Sequence, residues 1–222
     1  EVLTLLVKAH ASALLQRDEG GRTPLHYLLW FHAPQRTADV VATFCTRLPK
    51  TKFYGLKQAT DYDDKKHPLP EIPRPQERIP NTAAILPDAK HGCLPLHYAV
   101  ANQCSAAVLH VLLQVFPLSK HMTDRYGRTA LHWYLGAGHA SGANGETPKH
   151  VSGEQANPHE APWWQRPVED AVLELLLSSR VARTKDWQGR HVLHWAAHKA
   201  ALALYHSSSA SDSSNNNNAD IP

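Results

Sequence analysis

The chain has 222 residues, 42% apolar and 19% charged, with a formal net charge of +3. That length suits one large domain or a repeat array, and so weak a charge gives no reason to expect a nucleic-acid surface. No apolar run approaches the ~18 residues of a membrane span. Three cysteines without paired spacing form neither a disulfide framework nor a zinc motif, so a reducing intracellular setting, cytoplasmic or nuclear, is expected.

In chain order, the first expected element is a helix. VLTLLVK (2–8) sets apolar residues at i, i+3 and i+4, the face of a buried helix. No basic leader precedes it, so it reads as a helix entered mid-element and not as a signal peptide. DEGGRTPLHY (18–27) follows. Asp18 can accept from turn amides, and Gly21 suits a position with φ > 0. Thr23 is a suitable N-cap, and Pro24 fits the first helical position. Leu25, Leu28 and Leu29 give an inward stripe, while a neutral His26 can donate and accept at once. ADVVATFCTRL (38–48) is a weaker helix of the first kind. Residues 50–87, with six prolines and many charges, read as a long loop.

AKHGCLPLHY (89–98) repeats the pattern with departures: Leu94 stands for the threonine, and Ala89 occupies the place of the turn aspartate. VLHVLLQ (108–114) repeats the opening helix, and DRYGRTALHW (124–133) is the fullest copy. Residues 136–167 are rich in Gly, Pro and His and read as a second loop. VLELLLS (172–178) and DWQGRHVLHW (186–195) close the series, with His191 and Val192 replacing Thr-Pro. A lost cap costs typically ~1 kcal/mol, so looser turns are expected in the second and fourth copies. SSSASDSSNNNN opens a low-complexity tail, 207–222, expected to be disordered.

Aligned on His26, His97, His132 and His194, the copies lie 71, 35 and 62 residues apart. Only the middle spacing is near the ~33 residues of a helix-turn-helix repeat, and the two loops account for the excess. A D-x-x-G turn, then T-P-L-H, then a V-x-x-L-L helix resembles the ankyrin repeat. The resemblance covers most of residues 1–206: a leading half repeat at 1–17, copies at 18–49, 88–117, 124–180 and 186–206, and insertions at 50–87 and 136–167. It implies an all-α solenoid with short β-hairpin turns, first helices lining a concave groove and second helices forming the back. It also implies that Gly21, Thr23, His26, Gly92, His97, Gly127, Thr129, His132, Gly189 and His194 are architectural. The histidine would bond backbone and motif threonine, most directly His26 with Thr23 and His132 with Thr129. The array looks open at both ends, with a half repeat at each, where solenoids need polar caps.

Candidate chemistry is sparse. His191, His194 and His198 share a helix, but no Cys or carboxylate completes a metal set, so no metal and no cofactor are expected. His139, His150 and His159 lie in a loop without ligand spacing. Asp61, Asp63 and Asp64 lack the spacing of a calcium loop. No nucleophile or phosphate-binding motif occurs, so no catalytic residue is assigned. The residue after each histidine is aromatic: Tyr27, Tyr98, Trp133 and Trp195. Two readings compete equally, a hot spot for a protein partner and packing against the next repeat. Arg22, Arg128 and Arg190 follow the turn glycines; they are solvated tips or a surface for an acidic partner. Pro70 to Arg74 could dock as an extended proline motif, with a plain linker as the simpler reading. Trp163 and Trp164 could cover the following helix or anchor a partner. The resemblance thus implies a monomeric, non-enzymatic protein-interaction scaffold, with no nucleic acid or membrane partner. The alternative is a targeting or regulatory region of a larger enzyme whose chemistry lies outside these residues.

Overall fold

The computed structural model describes residues 2–30, 38–46, 82–137 and 165–212. Among them the architecture is all-α: the elements are helices, with two isolated antiparallel bridges, Thr123 with Thr129 and Lys185 with His191. The four helices expected from the V-x-x-L-L pattern form: α1 (Val2–Ala9), α3 (Ala38–Phe44), α5 (Ala106–Val115) and α7 (Asp170–Leu176). They pack in a row, α1 on α3, α3 on α5 and α5 on α7. The histidine-bearing helices form a second row: α2 (Pro24–Trp30), α4 (Pro95–Ala101), α6 (Ala130–His132) and α9 (Val192–Asp212). Each of these touches the next, and α2, α4 and α6 also pack on α3, α5 and α7. α6 is short because it passes into a π-helical turn, Trp133–Ala137, that holds Gly136 at φ 117°.

A third recurring element precedes each turn. It is a 3-10 turn at Ala11–Leu15, Ala83–Ile85 and Pro117–His121, and the short helix α8 at Ser179–Arg183. Each ends three residues before Asp18, Asp88, Asp124 or Asp186. Thr82 and Ser178 cap two of them by accepting the amides of Ala84 and Val181. This corrects the loop expected over 50–87. Thr82 to Pro87 are buried, and Ile85 and Leu86 join Leu94, Phe116 and Met122 in a small apolar cluster. Leu94 therefore replaces the lost threonine cap with core packing; burying a leucine is worth ~1.5–3 kcal/mol against a cap's ~1.

The main core runs between the rows through Leu25, Leu29, Leu96, Leu109, Leu112, Leu131 and Leu176. α9 continues to Asp212, so 207–212 are helical and not disordered as expected. No described helix is long and apolar enough to cross a membrane. The Asp61 cluster, the Pro70 segment, His139, His150, His159, Trp163, Trp164 and residues 213–222 lie outside the described residues.

Candidate functional site

The four turns are one structure built four times. In each, the aspartate amide closes the turn: Asp18 to the Arg22 carbonyl, Asp124 to Arg128 and Asp186 to Arg190, all at 2.9 Å. In the second copy Asp88 donates to Cys93, also at 2.9 Å but one residue further on. That turn is one residue longer, so the anchoring carboxylate is Asp88 and the expected vacancy at Ala89 does not exist. Asp88 Oδ1 accepts the amides of His91 and Gly92 at 2.5 and 3.1 Å.

The other carboxylate oxygen locks the aromatic residue after the histidine. Tyr27 and Tyr98 donate their hydroxyls to Asp18 and Asp88, the latter at 2.8 Å. Trp133 and Trp195 donate their indole N–H to Asp124 and Asp186 at 2.9 and 3.2 Å. Tyr98, Trp133 and Trp195 are 0, 1 and 3% exposed, so their rings offer a partner no face; Tyr27 is 37% exposed. Arg128 and Arg190 point back into the same lock, each Nε 2.7 Å from its aspartate. Their guanidinium groups lie over Trp133 and Trp195 at 4.6 and 4.2 Å, and Arg22 lies over Trp30 at 4.3 Å. Arg128 is buried and Arg22 and Arg190 half-buried, so none of the three is a plain solvated tip.

The locks differ in charge balance. Burial would raise the Asp186 carboxyl, but the amide and guanidinium of Arg190 and the Trp195 indole outweigh it and hold it below the usual carboxylate range. Asp88 has Cys93 where the other turns have arginine, and burial pushes its carboxyl up against the opposing bonds from His91, Tyr98 and Gly92.

His26 and His97 are rungs between copies. His26 Nδ1 accepts the Thr23 amide at 3.0 Å and lies 2.9 Å from the Thr23 hydroxyl. The threonine hydroxyl thus serves the imidazole, a contact that Thr129 repeats with His132 at 2.9 Å. His97 Nδ1 accepts the Leu94 amide at 3.1 Å, and His132 and His194 repeat the contact with Thr129 and His191 at 3.2 and 3.1 Å. An Nδ1 that accepts leaves the proton on Nε2. His26 Nε2 donates to the Cys93 carbonyl and His97 Nε2 to the Arg128 carbonyl, both at 3.2 Å. The second copy's rung is as short as the first's. His132 is influenced by the Arg190 carbonyl, but its Nε2 falls outside hydrogen-bonding geometry. Burial pushes His26 down to about 3 and His97 to about 4, keeping both neutral.

Backbone bonds stack the turns. The Ala89 amide donates to the Gly20 carbonyl, Arg125 to His91 and Trp187 to Tyr126, at 3.0, 2.9 and 2.8 Å. Gly21 has φ 72°, and a Cβ there would stand 2.5 Å from Ala89. Glu19, Lys90 and Trp187 are exposed on the first, second and fourth turns, and Trp187 is 47% exposed. Sequence reasoning missed Trp187; the signal was an aromatic two residues before the glycine, shared with Tyr126 less one position.

Burial pushes the Cys45 thiol up to about 12 and raises Cys93 as well, so neither forms a ready nucleophile. His191 and His194 stack with centroids 5.8 Å apart, but among the described residues no group of three or more His, Cys, Asp or Glu converges on a metal site. A shallow groove of about 610 Å³ opens at the first copy, lined by residues including Arg17, Arg22, Tyr27, Leu28 and Phe44. No protein-family model matches the chain, and a search of curated proteins finds no match.

Proposed function

We propose that the chain is a divergent ankyrin-repeat solenoid that works as a non-enzymatic scaffold, holding another protein along its stacked turns. One observation carries the reading: four turns stack in register, each closed on its own aspartate and stacked on the next through a backbone amide. The polar groups of the motif are spent on architecture. Glu19, Lys90 and Trp187 are exposed on the first, second and fourth turns. Tryptophan is enriched among residues that dominate binding energy, so Trp187 takes the anchoring role first assigned to the buried rings of Tyr98, Trp133 and Trp195. Three cysteines outside any disulfide, two of them buried, fit a reducing intracellular setting.

The test has two stages. The intact chain is used to enrich partners from cell extract, and the affinity of a purified partner is then measured against wild type and a Lys90→Ala, Trp187→Ala variant. The proposal expects the double variant to bind at least ~10-fold more weakly, the scale of a lost hot spot. Full affinity in the variant, or no partner enriched above background, contradicts it.

A further inference from the structure

A recess opens between two helices of the first row. α5 has α3 packed on it as well as α7, so the recess lies within the row. His110, Leu113 and Gln114 of α5 form one wall. Pro117 and Lys120 of the following 3-10 turn and Leu175 of α7 complete it, around a volume of about 250 Å³. Small-molecule sites span ~300–1,000 Å³, so this space suits a single side chain better than a whole ligand. Leu113 and Leu175 are half-buried and Pro117 is exposed, which leaves apolar surface within reach of solvent.

The surroundings of the recess are basic. Lys120 lines it, and the neighbouring His121 has the Ser178 hydroxyl 3.5 Å from its Nδ1. Burial pushes the His121 imidazole down, and the charges of Lys120 and Arg180 push it the same way, so one ring feels both cations. In the turns, Arg128 and Arg190 each close on an aspartate. Among the described residues no carboxylate does this for Lys120 or Arg180, and Glu174, exposed on α7, pairs with neither. The exposure of Arg180 belongs to its position in the motif. Leu118 stands six residues before Asp124 as Arg180 stands before Asp186, and it is 45% exposed.

We propose that this recess seats an acidic segment of a partner protein, one apolar side chain entering between Leu113, Pro117 and Leu175 while carboxylates beside it meet Lys120 and Arg180. Charge complementarity names the occupant. Two cations without an internal counter-charge border an apolar recess, and an acidic segment that carries one apolar residue answers both features. A bilayer answers them less well, because it rests on protruding surface and the apolar wall here is sunk between helices. The inference uses only the packing of α5, α7 and the turn at Pro117–His121. It goes beyond the scaffold role assigned to the stacked turns and does not depend on it.

Fluorescence anisotropy with the full chain tests this, using as probe a labelled peptide in which one leucine is flanked on both sides by aspartates and glutamates. The probe is expected to bind at least ~10-fold more tightly than the same peptide with serine for leucine, the scale of one buried apolar side chain. A Lys120→Glu, Arg180→Glu variant is expected to weaken it at least ~10-fold. Gln114→Trp, which fills the recess from an exposed position, is expected to do the same. Helical circular dichroism checks that both variants stay folded. Absence of probe binding overturns the proposal, as does equal binding of the serine peptide or full affinity in either folded variant. Phosphatidylserine vesicles that bind through Lys120 and Arg180 while the peptide does not would assign the surface to a membrane and overturn it too. Self-association lost in the same variants, without peptide binding, would assign it to a second copy with the same result. The Lys90→Ala, Trp187→Ala variant is expected to bind the probe as wild type does. Probe binding without any partner held through Trp187 leaves this proposal standing and removes the scaffold role, and the opposite pattern does the reverse.

Discussion

Asp124 holds four groups at once: two turn amides, the Arg128 guanidinium and the Trp133 indole. Removing it strands a buried cation and an indole donor. Asp124→Ala is expected to lose about 3–5 kcal/mol, the scale of a broken buried pair. Asp18 is exposed, and Asp18→Ala is expected to lose about 1 kcal/mol, an ordinary net hydrogen-bond contribution. Urea unfolding with an unchanged m value checks the difference. The histidines set a pH dependence. Their folded pKa values lie below the unfolded ~6.5, so the unfolded chain binds more protons between the two. Their contribution is therefore complete above about pH 6.5 and falls as pH drops toward 4, by up to ~2.7 kcal/mol per pH unit for His26 and His97 together. Unfolding midpoints at pH 7 and 5 are expected to differ, and His97→Asn to flatten the slope. The glycine and histidine positions were legible because identical words recur. The aspartate lock was half legible, since an aspartate stands eight residues before three of the histidines and an aromatic one after all four. Counting failed at Ala89 because it assumes turns of equal length, and the second turn carries one extra residue.

At the scale of elements, the turn glycines separate backbone strain from crowding. Gly21 and Gly189 have nearly the same φ, 72° and 76°. A Cβ at Gly21 meets Ala89 of the next turn, whereas at Gly189 nothing lies within 4 Å. Gly189→Ala is expected to cost about 1 kcal/mol from left-handed strain alone. Gly21→Ala is expected to cost a further ~1–3 kcal/mol, the penalty of overpacking. Thermal unfolding of the two variants checks the order. The outer helices were readable because seven or more residues are enough to show a helical period. The short helical turns before each aspartate were not, because three to five residues carry no period. At Thr82 to Pro87 the prolines nearby pointed to a loop, and burial against Leu94 and Phe116 decided otherwise. α9 outran its expected end because no Gly or Pro lies between Val192 and Asp212 to stop it.

For the whole molecule, the proposed array stands on contacts that pass from copy to copy. Stability in such arrays is a sum of units and nearest-neighbour interfaces, so an internal leucine and its terminal equivalent should differ sharply. Leu131→Asp places a charge in the core and is expected to abolish cooperative folding, while Leu193→Asp, at an exposed position, is expected to leave the unfolding free energy within about 0.5 kcal/mol of wild type. The recurrence of the turn was visible in the four spaced motifs. The central claim is that His26 and His97 are rungs between copies and not reactive groups. Nitrogen-detected NMR of the imidazoles tests it most directly, because burial between copies keeps His26 and His97 neutral, and the amides accepted at Nδ1 leave the proton on Nε2, against the next copy's carbonyl. At pH 5 both are predicted to remain neutral, with the proton on Nε2 and slow exchange. Titration of either ring near pH 6.5, or a proton on Nδ1, would contradict the stacked arrangement.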